Sequence, residues 1–192
     1  MSTRSSSTNG AVAFPGTECP LGDPRMKFLT RGKIYHLPGG HQWDAVFDPT
    51  SYATALPITT DGTIVLIEQY RFPAERRMLT LAGGAQDPGE NIEDTARREL
   101  IEESGYMAGS LELLIKDLPL FPGLSTGKTD VYLARDCVRT QEPNLDSVER
   151  IAGLRTVEFT AKQIKDLLAR GDSSIDPTLF AALCVLIARG EL

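Results

Sequence analysis

The feature that most constrains the fold is a helix predicted over residues 91–104. Asn91 is a suitable N-cap, because its side chain can accept a hydrogen bond from the first helical turn, and Gly105 is a natural C-terminal stop. Apolar residues recur at every fourth position along one stripe of this helix: Ile92, Ala96 and Leu100. Such a stripe has to be buried, so the rest of the chain must supply a layer that covers it.

Strand-like runs lie on both sides of this helix. Before it they cover residues 27–37, 42–47, 52–59, 63–70 and 78–81, and after it residues 110–115, 130–134 and 155–159. Turns are predicted at 38–40 and at Asp61-Gly62, a two-residue hairpin signal because both positions tolerate positive φ. Gly83 and Gly84 are predicted to follow the strand at 78–81 and to lead into a polar loop.

Two further helices are predicted near the end of the chain. One covers residues 160–170, and the other begins with Asp176 as N-cap and Pro177 in the first turn. The apolar residues expected to face the core on this last helix are Phe180, Leu183, Cys184 and Ile187. The order of strands, helix, strands and helices predicts an α/β sandwich with helices packed on sheets.

Composition limits the class of protein. A chain of 192 residues fits one domain, here predicted over residues 26–192, after a Ser- and Thr-rich tail at 1–25. No apolar run is long enough for a membrane span, and the net charge of -6 disfavours nucleic acid as a main partner. The three cysteines, Cys19, Cys137 and Cys184, are widely spaced and are interpreted as reduced thiols of a cytoplasmic protein.

Three glutamates carry the chemistry of the predicted helix. Glu99 and Glu103 are four positions apart and share a face, and Glu102 lies beside them. Crowded carboxylates repel one another unless a cation joins them, and their oxygens suit Mg²⁺ or Mn²⁺. A solvated acidic helix face is the plain alternative for a Glu-rich helix in general. The spacing of the whole segment favours a metal site.

That segment resembles the Nudix box, in which glycine, glutamate and arginine stand at fixed spacing. The matching positions are Gly84, Glu90, Arg98, Glu99, Leu100, Glu102, Glu103 and Gly105. Tyr106 departs from the pattern, at a packing position where the family has an aliphatic residue. The resemblance implies a Nudix-type α/β/α sandwich with a mixed sheet and antiparallel N-terminal strands.

The resemblance also implies roles for the matched residues. The metal ligands would be Glu99, Glu103, Glu102 and the backbone carbonyl of Gly83. Glu102 could instead act as a base through water. Glu90 and Arg98 would be the polar support that orients the catalytic carboxylates. Gly84 would let the backbone approach the substrate.

Flanking segments are similar to the ADP-ribose and nucleoside-diphosphate-sugar pyrophosphatase branch of the family. Gln69-Tyr70-Arg71 looks like the branch's phosphate-contacting motif, so Arg71 is a candidate clamp, and Trp43 is a candidate to stack on the base. The loop that begins at Phe121-Pro122-Gly123 places Gly127 where the branch commonly has a water-activating glutamate. Asp130, Glu149 and Glu102 are therefore open alternatives for that task, with Glu102 the best matched to the family pattern.

The implied activity is metal-dependent hydrolysis of the pyrophosphate bond of ADP-ribose or a related nucleotide sugar. The cofactor would be Mg²⁺ or Mn²⁺, and the partner a small nucleotide-sugar substrate rather than nucleic acid or membrane. The branch also implies a homodimer built with the N-terminal strands at 26–50. Two alternatives stay open: a non-catalytic nucleotide-sugar sensor, and a Nudix hydrolase of dinucleotides or non-canonical nucleotides.

Overall fold

The computed structural model describes residues 32–36, 42–46, 48 and 50–192, with the backbone alone for 32–36 and 42–45. The strands before the first helix are β1 (Gly32–His36), β2 (Gln42–Val46), β3 (Ser51–Thr59), β4 (Ile64–Arg71), β5 (Arg76–Thr80) and β6 (Ala82–Ala85). The elements after them are α1 (Ile92–Ser104), β7 (Tyr106–Met107), β8 (Ser110–Pro119), β9 (Lys128–Arg139), α2 (Ser147–Ile151), β10 (Arg155–Phe159), α3 (Ala161–Ala169) and α4 (Pro177–Ala188).

The strands form two sheets. β1 and β2 pair antiparallel as a two-stranded sheet, and the larger sheet runs in the order β10-β4-β3-β9-β7, with β5 on β4, β6 on β3 and β8 on β9. β3 and β9 are parallel, whereas the other pairs of the larger sheet are antiparallel. The mixed sheet and the antiparallel N-terminal strands confirm the predicted α/β fold class.

Buried side chains lie on both faces of the larger sheet. On one face Leu100 of α1 packs with Ala55, Val65, Ile67 and other residues of the strands. On the other face a larger cluster joins Leu56, Leu66 and Leu133 of the sheet to helices α3 and α4, through Ile164, Leu179, Ala182, Leu183 and Leu186. The sheet is therefore a middle layer between helices, as predicted for an α/β/α sandwich. None of the helices in the described part of the chain is long and apolar enough to span a membrane.

The helix ends agree with the sequence. The Asn91 side chain accepts the Glu93 N–H at the start of α1, and Gly105 ends this helix with φ 76°. Thr160 caps α3 and Asp176 caps α4, as their side chains suggest. These ends fix where the helix carrying the three glutamates begins and stops.

Three local predictions were wrong. The hairpin between β3 and β4 is closed by a hydrogen bond from the Thr59 N–H to the Thr63 carbonyl, so the turn is longer than two residues. Of the Asp61-Gly62 dipeptide, only Gly62 has a positive φ. Gly83 and Gly84 lie on strand β6 rather than in a loop. The short helix α2 falls in a segment for which no helix was predicted.

The buried face of α4 also differs from the prediction. Leu183 is buried, but Phe180 and Ile187 are 50% and 44% exposed, and Cys184 is exposed. Leu179, Ala182 and Leu186 take the core positions instead. Because α4 is apolar on nearly all sides, the sequence alone does not mark which stripe faces the sheet.

The end of strand β2 is hydrogen-bonded to the loop between β8 and β9. Val46 donates its N–H to the Leu124 carbonyl over 2.6 Å, and its own carbonyl accepts the Thr126 N–H. The predicted strands at 27–37 and 42–47 are seen as β1 and β2, and the remainder of both ranges lies outside the described residues. The predicted tail at 1–25 and the turn at 38–40 also lie outside them.

Candidate active site

Strand β6 brings two glycines against the acidic face of α1. The Gly83 N–H donates to Oε2 of Glu103 over 2.9 Å. A Cβ placed on Gly84 would lie 2.6 Å from Cδ of Glu99, so the space of an ordinary side chain is taken by a carboxylate. The backbone of β6 and the carboxylates of α1 therefore form one continuous surface.

The two inner carboxylates are shielded from solvent. Glu99 is 8% exposed and Glu103 is 5% exposed. Burial raises the pKa of Glu103 to about 8, although the Gly83 N–H opposes the shift. Burial also raises the pKa of Glu99, and the charges of Glu102 and Glu149 add to that effect. Glu99 pairs with Arg98, whereas Glu103 forms no ion pair among the described residues.

Arg98 ties together the outer part of the site. Its guanidinium pairs with Glu90 at 3.0 Å, with Glu99 at 2.7 Å and with Glu102 at 3.0 Å. It also donates to the carbonyl of Ala85 over 3.1 Å. The structure thus brings Arg98 together with three predicted site carboxylates in a single ion-pair network.

Glu90 is held as an anion inside this network. Hydrogen bonds from Arg98 and from the Thr95 hydroxyl lower the pKa of Glu90 to about 2. A carboxylate fixed by two side chains in this way orients the guanidinium that reaches Glu99 and Glu102. Thr95 was not among the predicted site residues, and its place four positions from Asn91 on the helix gave no signal of this contact.

Arg71 lies at the end of β4 on the edge of the site. It is exposed, and its charge acts on Glu103 by lowering that carboxyl's pKa against the stronger effect of burial. Arg76 stands directly opposite Arg71 in the β4–β5 register. The Arg76 guanidinium donates to the Ser173 hydroxyl over 3.1 Å, so Arg71 is the arginine of this pair whose charge acts on Glu103.

Glu149 is brought to the site by helix α2. Burial is the main cause of the raised pKa of Glu99 and Glu103, and the negative charge of Glu149 adds to both shifts. Asp146 and Glu149 form a capping box, in which each side chain accepts the other's N–H. This Asp-x-x-Glu spacing is the sequence signal that could have predicted α2.

Three more residues named in the sequence, Asp130, Gly127 and Trp43, have other neighbours in the structure. Asp130 accepts the Asp117 N–H between β8 and β9 over 2.8 Å. Gly127 lies beside Asp48, whose carboxylate a Cβ on Gly127 would meet at 3.2 Å. Trp43 lies on β2 opposite Tyr35, and its side chain is outside the described residues.

Comparison with known proteins decides the family. Residues 49–179, more than half of the chain, match the family model of the NUDIX domain. The chain belongs to the Nudix family. The Nudix box therefore comprises the end of β6, the polar turn after it and helix α1.

Similar proteins include several Nudix relatives. The ADP-ribose pyrophosphatase of Bacillus subtilis (strain 168) is 36% identical over 112 residues, which are 57% of this chain and 60% of that protein. The methanol dehydrogenase activator of Bacillus methanolicus is 35% identical over 125 residues, 64% of this chain and 62% of that protein. These matches span about three fifths of the relatives' own length.

A solved structure supports the same fold. The crystal structure of an ADP compounds hydrolase superposes with a TM-score of 0.65 and covers 87% of this chain and 100% of that chain. Its sequence identity is 23%, so the likeness concerns the fold alone.

The donor chemistry of the Nudix box suits a divalent cation. Glu99 and Glu103 are buried carboxylates with raised pKa, and positive charge placed between them would relieve their desolvation and repulsion. In the described part of the chain no three His, Cys, Asp or Glu side chains converge closely enough to enclose a metal ion. Arg98 pairs with Glu99 and Glu102 instead. The carboxylates of the box are therefore of the chemical type that binds a divalent cation. In this structure the Arg98 guanidinium supplies the positive charge beside Glu99 and Glu102.

Proposed function

We propose that this Nudix protein is a divalent-metal-dependent pyrophosphohydrolase that acts on ADP-ribose or a related nucleoside diphosphate sugar. The observation that carries the proposal is the pair of buried carboxylates, Glu99 and Glu103, held against Gly83 and Gly84 at the centre of the box. Burying two carboxylates side by side lowers the free energy of unfolding, and a cation bound between them would raise it again.

Glu99, Glu103, Glu102 and the Gly83 carbonyl are the groups that would hold the cation. When bound, a divalent cation supplies positive charge to the two substrate phosphates and eases the ionisation of water. Arg98 and Glu90 keep the outer carboxylates in place through their ion pairs. Gly84 leaves room for the Glu99 carboxylate and for close approach of the backbone to the substrate.

Glu149 is the group that we propose takes the proton of the attacking water. Its charge is felt by both Glu99 and Glu103, and its carboxylate is fixed by the Asp146 N–H. The best-matched sequence candidate, Glu102, has its carboxylate in an ion pair with Arg98. A base must reach the reacting water, so the carboxylate on the separate segment α2 suits the task better.

Substrate recognition would use Arg71 at the edge of the site. Arg71 would hold a phosphate with its planar guanidinium. Stacking of the base on Trp43, a homodimer built through the strands at 26–50 and a cytoplasmic location stay predictions. The similarity to the ADP-ribose pyrophosphatase of Bacillus subtilis supports the choice of substrate class.

A hydrolysis screen tests this proposal. The protein is incubated with Mg²⁺ or Mn²⁺ and with ADP-ribose, ADP-glucose, GDP-mannose, UDP-glucose or a dinucleotide, and the nucleotide products are separated by chromatography. We expect AMP and ribose 5-phosphate from ADP-ribose, and a lower kcat/KM by about 10²-fold or more in Glu149→Gln.

The screen also separates the alternatives. Binding of ADP-ribose without any product would indicate a nucleotide-sugar sensor and contradict hydrolysis. Faster turnover of dinucleotides than of any nucleotide sugar would contradict the substrate class while leaving the chemistry in place.

A further inference from the structure

The segment that carries Glu149 is attached to the rest of the molecule at both ends. At its start the Asn144 N–H donates to the Glu102 carbonyl of α1 over 2.7 Å. At its end the Tyr70 N–H of β4 donates to the Ala152 carbonyl over 2.9 Å. Helix α2 has only five residues. A helix this short is unstable by itself in water, so the position of Glu149 depends on such attachments.

Arg77 makes a third attachment at the end of this segment. Its Nη2 donates to the Gly153 carbonyl over 2.6 Å, a charge-assisted hydrogen bond across 76 residues of sequence. Its Nε pairs with Glu68 of β4 at 3.0 Å, which holds the guanidinium in place. Gly153 has φ +60°, and a Cβ there would lie 3.3 Å from Nη1 of Arg77, so the glycine admits both the backbone turn and the guanidinium.

We propose that Arg77 is a positioning residue for Glu149. By holding the Gly153 carbonyl, Arg77 fixes the chain just after α2 and thereby the position of the short helix that carries Glu149. This inference rests on the proposed function, because it concerns the base that we assign to hydrolysis. Among the described residues, Arg77 forms its hydrogen bonds and its ion pair with Glu68 and Gly153, and none of them with a carboxylate of the box.

Kinetics of single and double variants test the role of Arg77. We expect Arg77→Ala to lower kcat by about tenfold to a hundredfold, since small displacements of a catalytic group have effects of that size, while KM changes by about twofold or less. Arg77→Lys should recover part of the loss by donating one hydrogen bond. In a Glu149→Gln background, Arg77→Ala should lower kcat little further, because both changes act on one group.

Arg155→Ala is the matched control. Arg155 pairs with the same Glu68 carboxylate but belongs to β10 and forms no described hydrogen bond with Gly153. We expect this variant to keep kcat within about twofold of the unmodified protein. An equal loss of kcat in Arg77→Ala and Arg155→Ala would assign Arg77 a general structural role and overturn the inference. The same holds if Arg77→Ala lowers kcat by the same factor with and without Glu149→Gln.

Amide hydrogen exchange gives a readout that does not need activity. In Arg77→Ala the amides of residues 149–154 should exchange faster, whereas those of α1, and of β4 apart from Tyr70, keep their protection. Unchanged exchange in that segment would overturn the inference even if hydrolysis is confirmed. Faster exchange in a protein that hydrolyses none of the screened substrates would instead sink the proposed function.

Discussion

Gly84 shows how a single missing side chain shapes the site. The carboxylate of Glu99 occupies the space where a Cβ on Gly84 would lie, within 2.6 Å of Cδ. Gly84→Ala should therefore push that carboxylate aside while the fold is kept, because the group that must move is the end of a flexible side chain. We expect the affinity for Mn²⁺ to fall by about tenfold, measured by calorimetric titration.

Gly123→Ala is the control for this variant. A Cβ on Gly123 meets nothing within 4 Å. It should leave Mn²⁺ affinity unchanged. Equal affinity in Gly84→Ala and the unmodified protein would show that Glu99 is not a ligand.

Glu103 makes a prediction about pH. Burial is the main cause that raises the pKa of this carboxyl from its ordinary value of 4.5 to about 8 in the folded protein. The folded state thus keeps a proton that the unfolded chain releases, so the free energy of unfolding falls as pH rises between about 4.5 and 8. In EDTA at pH 8, Glu103→Gln should be more stable than the unmodified protein, by on the order of 2 kcal/mol, while losing turnover.

Urea unfolding at pH 5 and pH 8 measures this difference. Glu93→Gln is the control, because Glu93 lies on the same helix, is only partly buried and pairs only with Arg97 among the described ion pairs. The difference between Glu103→Gln and the unmodified protein should be larger at pH 8 than at pH 5. A difference that does not grow with pH would contradict burial of a charged Glu103.

At the scale of elements, helix α1 was predictable from end to end, whereas for α4 only the start was predictable. Asn91 and Gly105 mark the ends of α1, and its polar and apolar sides differ clearly in sequence. In α4 apolar residues surround the axis, so only packing against the sheet selects Leu183 and its neighbours over Phe180. Local sequence determines caps, and tertiary contacts determine the buried face.

This difference can be measured by stability. Leu183 is fully buried and Phe180 is 50% exposed. Leu183→Ala should lower the free energy of unfolding by about 2–5 kcal/mol, because it leaves a cavity between α4 and the sheet. Phe180→Ala should lower it by about 1 kcal/mol or less. Urea denaturation that ranks the two variants in the opposite order would contradict the observed packing.

At the scale of the whole molecule, some residues of the site are close in sequence, and others are brought together only by the pairing of distant strands. The carboxylates of the Nudix box lie on helix α1 and in the turn just before it, so their spacing in the sequence already indicated their proximity. Glu149 and Arg77 come from distant segments that meet only because β10 pairs with β4 and β4 with β5. No local pattern encodes such pairings, so the sequence left Glu149 as one of several candidates and gave no sign of Arg77.

The central claim is that the acidic face of α1 binds a divalent cation. Electron paramagnetic resonance of a Mn²⁺ titration tests it most directly, because the signal of free Mn²⁺ is lost on binding. The unmodified protein should take up Mn²⁺, and a Glu99→Gln and Glu103→Gln double variant that keeps its fold should leave the ion free. Equal uptake by both proteins, or none by the unmodified protein with ADP-ribose present, would contradict the account.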